Sequence, residues 1–405
     1  MGRFFNRERF GNVQIAAGFL LLVFAGQCAW LVGHARLLIS EDPYFFRAEE
    51  GYDQWHGRGV AGTPTVSNPC DSPCEPLRTR FDAEHSPLWY LIASAPLAFF
   101  FSVSQDSWTW FWLTRAPYVA FGILLGGSLW YVSRRLYGNA GGFIALGLYC
   151  FSPTVIRSSS LWSAEPQIGA AWGVFGAVFT AIAVSHTLYA PREVVLWNWR
   201  RIVLLAVSLA LAVGSQFELT IVVPLLLGFM LYLAPERRSA AVAILGAACA
   251  IAVGLIFGAY FFHASLFWRG LLNAKLIDVI WPAFAMAGAY RQVAKEIAES
   301  GPVMAIMVPA AIIGYLIWRR CRYFGNTAPL IAGLLFAGLR VASPHAANSI
   351  YSLAAVVFLF VFVAGIAADV METKAGSMVS AALAGLVGAN AVWNLIKLWN
   401  ITSWF

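Results

Sequence analysis

Residues 13–33 read VQIAAGFLLLVFAGQCAWLVG, and residues 40–50 read SEDPYFFRAEE. The first stretch has no charged side chain and is long enough to cross a hydrocarbon core of about 30 Å as a helix. Arg3, Arg7 and Arg9 precede it. It is longer than the apolar region of a secretory signal, and no small-residue cleavage site follows, so it reads as a first membrane span with its N-terminus cytoplasmic. The second stretch then places acidic and aromatic residues at the outer surface. A chain that begins this way is a multi-pass membrane protein if the pattern repeats.

The pattern does repeat. Of 405 residues 60% are hydrophobic and only 12% are charged. A soluble domain carries about twice that share of charge. Spans of about 20 residues allow roughly a dozen crossings in such a chain. Disorder, collagen, coiled coil and a disulfide scaffold are excluded. The net charge of +7 sits in small clusters at the ends of apolar runs, which excludes an extended nucleic-acid surface.

Those clusters fix an expected orientation. They are Arg134/Arg135, Arg192/Arg200/Arg201, Arg237/Arg238 and Arg319/Arg320/Arg322. All fall on the cytoplasmic side if the 87–103 run lies in or re-enters the outer leaflet rather than crossing. The expected spans are then about 13–33, 112–133, 139–157, 166–186, 202–217, 219–234, 240–262, 302–318, 327–343, 349–368 and 377–397. The expected fold is thus an all-α integral membrane protein of about 11 transmembrane helices, a single polytopic domain over 1–405, with its C-terminus external. Residues 34–111 form a large first external loop carrying interfacial helices, and 263–301 form a second. Within the latter, 289–300 reads as an amphipathic interfacial helix. Nine of the 20 acidic residues lie from Glu41 to Glu84 against four arginines, so the first loop is acidic.

Cys70 and Cys74 lie four residues apart in that loop. A disulfide, free thiols, and a metal site completed by His56 and His85 all remain open readings.

Carboxylates at the outer surface are the candidate chemistry. Glu41 and Asp42 follow the first span, Glu165 opens the fourth, and Glu218 links the fifth and sixth. Acidic residues at membrane level usually face a cavity or a partner. The plainer readings are a solvated loop start for Glu41/Asp42 and a charge on a helix N-terminus for Glu165. Glu218 is read as a simple helix-end carboxylate. On a helix, positions 41, 44/45 and 48 share a face, so the acid pair and Tyr44 would form one surface suited to a sugar. His85, in Asp82-Ala83-Glu84-His85-Ser86-Pro87-Leu88-Trp89-Tyr90, marks the return of the loop to the membrane.

These residues resemble a known family. Glu41-Asp42 followed by Tyr44, Phe45, Phe46 and Arg47-Ala48 is similar to the start of the membrane glycosyltransferases of the C fold (GT-C), in the protein mannosyltransferase-like and lipid A aminoarabinose transferase-like branch. His85-Ser86-Pro87-Leu88-Trp89 resembles that branch's His-Pro-Pro-Leu element. Arg115, Arg134-Arg135-Leu136-Tyr137-Gly138, Ser152-Pro153 and Ser163-Ala164-Glu165-Pro166 also fit. The likeness covers about residues 13–190; beyond that only architecture matches. The chain departs from the branch in Glu41 preceding Asp42, in Glu165 for Asp, and in His-Ser-Pro for His-Pro-Pro.

The resemblance implies a polyprenyl-phosphate-linked sugar as donor and a lipid, glycan or protein acceptor at the outer face of a bacterial inner or plasma membrane. Catalytic roles would fall to Glu41, Asp42 and Glu165. Substrate contacts would come from Tyr44, Arg47, His85, Arg115, Arg269, Arg291, His345 and Tyr351, with Lys275 and Lys295 further outer-face cations. Each cation also reads as a lipid headgroup anchor. No nucleic acid is expected, and no metal ligand set is assigned; a divalent metal is compatible with the sequence but not required by it. A transporter or flippase of lipid-linked glycans, and a non-catalytic assembly subunit of the same fold, are the competing readings. The first lacks the internal repeat common in transporters. The second draws on the Glu-for-Asp departures.

Overall fold

The computed structural model describes residues 11–34, 43–64, 80–100, 107–160, 166–189, 199–277, 279–343, 350–373 and 376–400; the side chains of 43–45, 107 and 108 lie outside that description. Helices dominate, and no strand occurs among the described residues. Among the described residues seven helices are long and apolar enough to cross a membrane. The count is eight if Ala287–Glu299 and Met304–Ile317, bent by 110°, form one broken span. The chain is an integral membrane protein. The expectation of eleven spans divides the same chain more finely, chiefly by splitting one long helix and by counting apolar runs of 17 residues or fewer.

That long helix is instructive. α1 is Asn12–His34, α2 Pro43–Trp55, α3 Pro87–Phe100 and α4 Ser107–Cys150. A straight helix of α4's 44 residues would be about 66 Å long, more than twice a hydrocarbon core. It is broken at Gly138, whose φ of 74° lies in the left-handed region that favours glycine. Arg134 and Arg135 flank the break, and the Arg134 Nε–H donates to Asn139 Oδ1 at 2.8 Å. α3 has 14 residues, about 21 Å, which is short for a crossing. Proline opens α2, α3 and α5 (Pro153–Ser160), where its missing N–H is no loss. Of the face shared by 41, 44/45 and 48, position 41 lies outside the described residues.

The remaining elements are α6 Gln167–Thr187, α7 Trp199–Ser215, a 3-10 turn Phe217–Ile221, α8 Val222–Leu233, α9 Arg238–Ala259 and α10 Ala264–Leu272. They are followed by a 3-10 turn Trp281–Ala285, α11 Ala287–Glu299, α12 Met304–Ile317, a 3-10 turn Arg319–Cys321, α13 Phe324–Ala342, α14 Ile350–Met371 and α15 Gly376–Trp399. The chain divides into two units. One comprises Met1–Ala35, Gly122–Ser160 and Val279–Phe405; the other comprises Arg36–Phe121 and Leu161–Asp278.

In the first unit α14 is the core. It is apolar on every side and almost wholly buried, as a helix surrounded by helices must be. Phe336 of α13 stacks on Phe358 with ring centres 5.9 Å apart. α15 is the opposite case. Its described face is largely exposed, and only Asn390, Asn394 and Leu398, spaced four apart, are buried. Asn394 donates to Gln27 Oε1 at 2.6 Å, Gln27 donates to the Cys150 carbonyl at 3.0 Å, and Asn390 donates to the Phe151 carbonyl at 3.2 Å. Polar side chains thus hold α15 to α1 and to the α4–α5 corner where apolar contact supplies no preference over lipid.

In the second unit α6 packs closely on α7. Gly173 lets the backbones meet: a Cβ there would lie 2.5 Å from the Ala212 nitrogen. Gly169 does the same for the Trp89 ring of α3, with a Cβ 1.9 Å from the nearest ring carbon. Such small-residue spacing is what allows membrane helices to approach. α2 in turn rests on α3, where Trp55 Nε1–H donates to the Leu91 carbonyl at 3.0 Å.

Candidate functional site

The second unit carries a buried ionic cluster built from α2, α3 and the loop between them. Asp82 is its hub. Its Oδ1 accepts the backbone N–H groups of Glu84 at 3.0 Å and His85 at 3.1 Å, the local turn an aspartate favours. Its Oδ2 accepts the Tyr90 hydroxyl at 2.6 Å. The His85 Nδ1 lies 3.2 Å from Oδ1 and 3.1 Å from the Tyr90 oxygen. Arg47 Nε stands 3.7 Å from Oδ2, and Arg47 Nη1 donates to Glu50 Oε2 at 2.8 Å. Glu50 in turn accepts the backbone N–H of Gly62 at 2.8 Å.

The loop is anchored from below. Asp82 N–H donates to the Gly62 carbonyl at 2.8 Å. Ser86 donates to the Gly214 carbonyl at the end of α7 through both its hydroxyl, at 2.6 Å, and its backbone N–H. Trp89 Nε1–H donates to the Tyr118 hydroxyl at 2.9 Å. His85, Ser86 and Trp89 are all buried.

Electrostatics follow from this packing. Burial pushes the Asp82 carboxyl up, but the charge and hydrogen bond of His85, the charge of Arg47 and the Tyr90 hydroxyl outweigh it and hold it well below the usual carboxylate range. Burial likewise disfavours the Arg47 cation, yet Glu50, Tyr90 and Asp82 more than restore it and raise its basicity. The Tyr90 hydroxyl donates to Asp82, whose two carboxylate oxygens also lie 3.2 and 3.3 Å from His85 Nδ1. Asp82 thus fixes the orientation of the His85 ring. The cluster holds a buried cation and an oriented imidazole, residue types that elsewhere bind phosphate and exchange protons with hydroxyls.

Arg115 is buried in the same unit, with its guanidinium 5.2 Å from the Phe111 ring centre and 5.7 Å from that of Tyr118. Arg269, on α10, is exposed. Lys275 lies 3.7 Å from Glu84.

The first unit holds a second charged contact. Arg340, buried in the last turn of α13, grips Glu296 of α11 with Nε at 2.9 Å and Nη2 at 2.6 Å. Ser352 and Gln292 also donate to that carboxylate. Burial raises Glu296, but these donors outweigh it, and the carboxyl ends below its ordinary value. Tyr351 is buried beside them and stacks on Phe336 at 6.5 Å. Arg291 is exposed, and Lys295 pairs with Glu299 at 3.7 Å.

Of the residues singled out from the sequence, Arg47 and His85 are brought together around Asp82. Arg115 and Arg269 belong to the same unit, and Arg291 and Tyr351 to the other. Glu41, Asp42, Glu165, His345, Cys70 and Cys74 lie outside the described residues, as does the Tyr44 side chain, though its backbone is in α2. Among the described residues no three His, Cys, Asp or Glu side chains converge to hold a metal ion. Asp82, Glu50, Tyr90, Glu296 and Arg340 were not singled out from the sequence. Asp82 three residues before His85, and one arginine at the end of an otherwise apolar run, are the signals that mark them.

No family model and no curated protein matches this sequence. Solved structures do match in fold. An archaeal oligosaccharyltransferase, AglB from Archaeoglobus fulgidus, in complex with an inhibitory peptide and a dolichol-phosphate, aligns with a TM-score of 0.59 at 14% identity, over 97% of this chain and 56% of that one. The Archaeoglobus fulgidus oligosaccharyltransferase in complex with Zn and sulfate aligns with a TM-score of 0.58 at 12% identity, over 94% and 53%. The chain thus spans a little over half the length of these structures. Its fold is that of a GT-C glycosyltransferase.

Proposed function

We propose that the protein is a membrane glycosyltransferase that moves a sugar from a polyprenyl-phosphate donor to a lipid, glycan or protein acceptor at the outer face of a bacterial inner or plasma membrane. One observation carries the reading: a GT-C fold over nearly the whole chain, with a buried Arg47–Asp82–His85–Tyr90 cluster in the loop after the first span. AglB has been seen with dolichol-phosphate, a lipid phosphate of the kind proposed here.

In the proposed reaction the acceptor hydroxyl oxygen bonds to the anomeric carbon of the sugar, and the bond from that carbon to the donor's phosphate oxygen breaks. The acceptor's proton passes to a carboxylate, assigned to Glu41 or Asp42 with Glu165 in support. The leaving phosphate keeps the electron pair, so cations need only stabilise its charge. Arg47 and Arg115 are the cations of the second unit proposed for that role, with Arg269 at its surface. Arg291 is proposed to act from the first unit, and His345 and Tyr351 to contact the donor. Eleven spans, with the N-terminus cytoplasmic and the C-terminus external, complete the proposed topology.

The test is incubation of purified protein with a panel of polyprenyl-phosphate sugars, with donor loss and product followed by mass spectrometry. Transfer is expected with at least one donor. Glu41→Gln and Asp42→Asn should abolish it while membrane insertion persists. Full transfer by both variants overturns the catalytic assignment. Ion-coupled glycan movement in sealed vesicles without transfer overturns the enzyme reading in favour of a transporter.

A further inference from the structure

α9 ends at Ala259, and the chain turns sharply before α10 begins at Ala264. Phe261 and Phe262 make the corner with φ of 48° and 60°, a left-handed backbone that bulky residues rarely adopt. A cluster of rings holds it. Phe257 meets Phe262 at 5.4 Å and Phe267 at 5.2 Å, and Tyr260 meets Phe267 at 5.6 Å. Gly270 lies so close that a Cβ there would sit 2.5 Å from the Tyr260 hydroxyl. α10 is thereby pressed against the corner along the Phe267–Gly270 side.

Its other side has none of the described residues over it. Phe262 is 70% exposed, Trp268 59% and Leu272 82%. Leu276 and Ile277 continue the apolar surface. His263, Arg269 and Lys275 are interspersed, and no acidic residue occurs from Tyr260 to Ile277. Large apolar and aromatic side chains mixed with cations are the composition of a helix lying in a membrane interface. Position limits the choice of partner. α9 is a 22-residue apolar helix suited to crossing the membrane, and five residues extend at most about 18 Å, so α10 stays near the bilayer surface where α9 emerges.

Both ends of this segment are tied to the loop cluster. Gln54 of α2 donates to the Ala259 carbonyl at 2.7 Å. The Lys275 backbone N–H donates to the carbonyl of Ala83, next to Asp82, at 2.6 Å, and its ammonium lies 3.7 Å from Glu84.

We infer that Ala259–Lys275 is a strap seated in outer-leaflet phospholipid, and that its seating holds the Asp82–His85 loop in place. The bilayer covers Phe262, Trp268 and Leu272, while Arg269 and His263 meet anionic headgroups. The inference is independent of the glycosyl-transfer reading, because its readouts require no turnover.

The test uses the full chain in nanodiscs of phosphatidylcholine and phosphatidylglycerol, brominated at shallow or deep acyl positions. The fluorescence difference between wild type and Trp268→Phe isolates Trp268. Shallow bromines are expected to quench that difference roughly twofold or more and deep bromines less, matching burial near the headgroup boundary. A difference signal quenched by aqueous iodide and untouched by brominated lipid overturns the seating. A signal untouched by both also overturns it, in favour of a second copy covering α10. The coupling is read by hydrogen exchange in the same nanodiscs. Leu272→Asp should speed exchange at residues 82–86 by roughly tenfold while the amides of α6 keep their protection. Unchanged exchange at 82–86, in a variant whose Trp268 signal shows displacement from lipid, overturns the coupling.

Discussion

At the scale of single residues, Asp82 organises the loop between α2 and α3. Asn at this position keeps the shape but removes the charge that His85 and Arg47 face. Removing one partner from a buried ionic cluster costs about 3–5 kcal/mol. Asp82→Asn should lower the thermal midpoint of the purified protein accordingly. The pH dependence has a definite sign. The folded carboxyl titrates below its unfolded value, so its contribution is fully present above about pH 4 and is lost as pH falls below that. Melting followed from pH 7 to pH 3 should fall more steeply below pH 4 in wild type than in Asp82→Asn; parallel curves contradict the assignment. Arg47 and His85 were legible because an arginine after an aromatic run and a histidine before Pro87 stand out beside apolar neighbours. Their convergence was not, because it depends on loop hydrogen bonds from Asp82 to Gly62 and from Ser86 to Gly214, pairs that no sequence period connects.

At the scale of elements, the apolar runs declare the helices but not their contacts. Gly169 and Gly173 decide how α6 meets its neighbours. Trp89 is fully buried and its ring is fixed by the Tyr118 hydroxyl, so it has little room to yield to a methyl group at position 169. Gly169→Ala should therefore cost about 1–3 kcal/mol through overpacking. Pairing it with Trp89→Leu should recover part of that loss, a coupling that denaturation of the four proteins of a double-mutant cycle measures directly. Gly246 of α9 is the control, since a Cβ there meets nothing within 4 Å. Gly246→Ala should be neutral or stabilising by up to about 1 kcal/mol through helix propensity. Equal losses at 169 and 246 would contradict the packing argument. α10 shows what the apolar pattern hides. Nine residues give too short a period to stand out from the loop, and its corner rests on ring contacts rather than on turn residues. Two consecutive aromatic residues at positive φ, costing about 1–2 kcal/mol each, are a conformation that sequence rules assign to glycine or asparagine.

At the scale of the whole molecule, charge decides what helix length leaves open. On the expected topology the cytoplasmic segments carry 14 basic and 5 acidic residues and the external ones 13 and 15, which would divide the +7 of the chain into +9 inside and −2 outside. The inner excess lies in short clusters beside apolar runs, where it acts on orientation. Arg134 and Arg135 next to the break at Gly138 are the clearest example, because a chain that turns there must return to the side it came from. Seven or eleven crossings, being odd, leave the termini on opposite sides, whereas eight leave them on the same side. Splitting α4 at Gly138 and crossing at α7, at 217–233 and at α12 gives eleven. A fusion after residue 405 distinguishes the cases. Alkaline phosphatase, active only outside the cytoplasm, should be active there, and green fluorescent protein should be dark. The same pair fused at the Gly138 turn should give the opposite pattern. An inactive phosphatase with bright fluorescence at the C-terminus would make the number of crossings even. That result would overturn the eleven-span topology, because the eleven already include the crossing at α12.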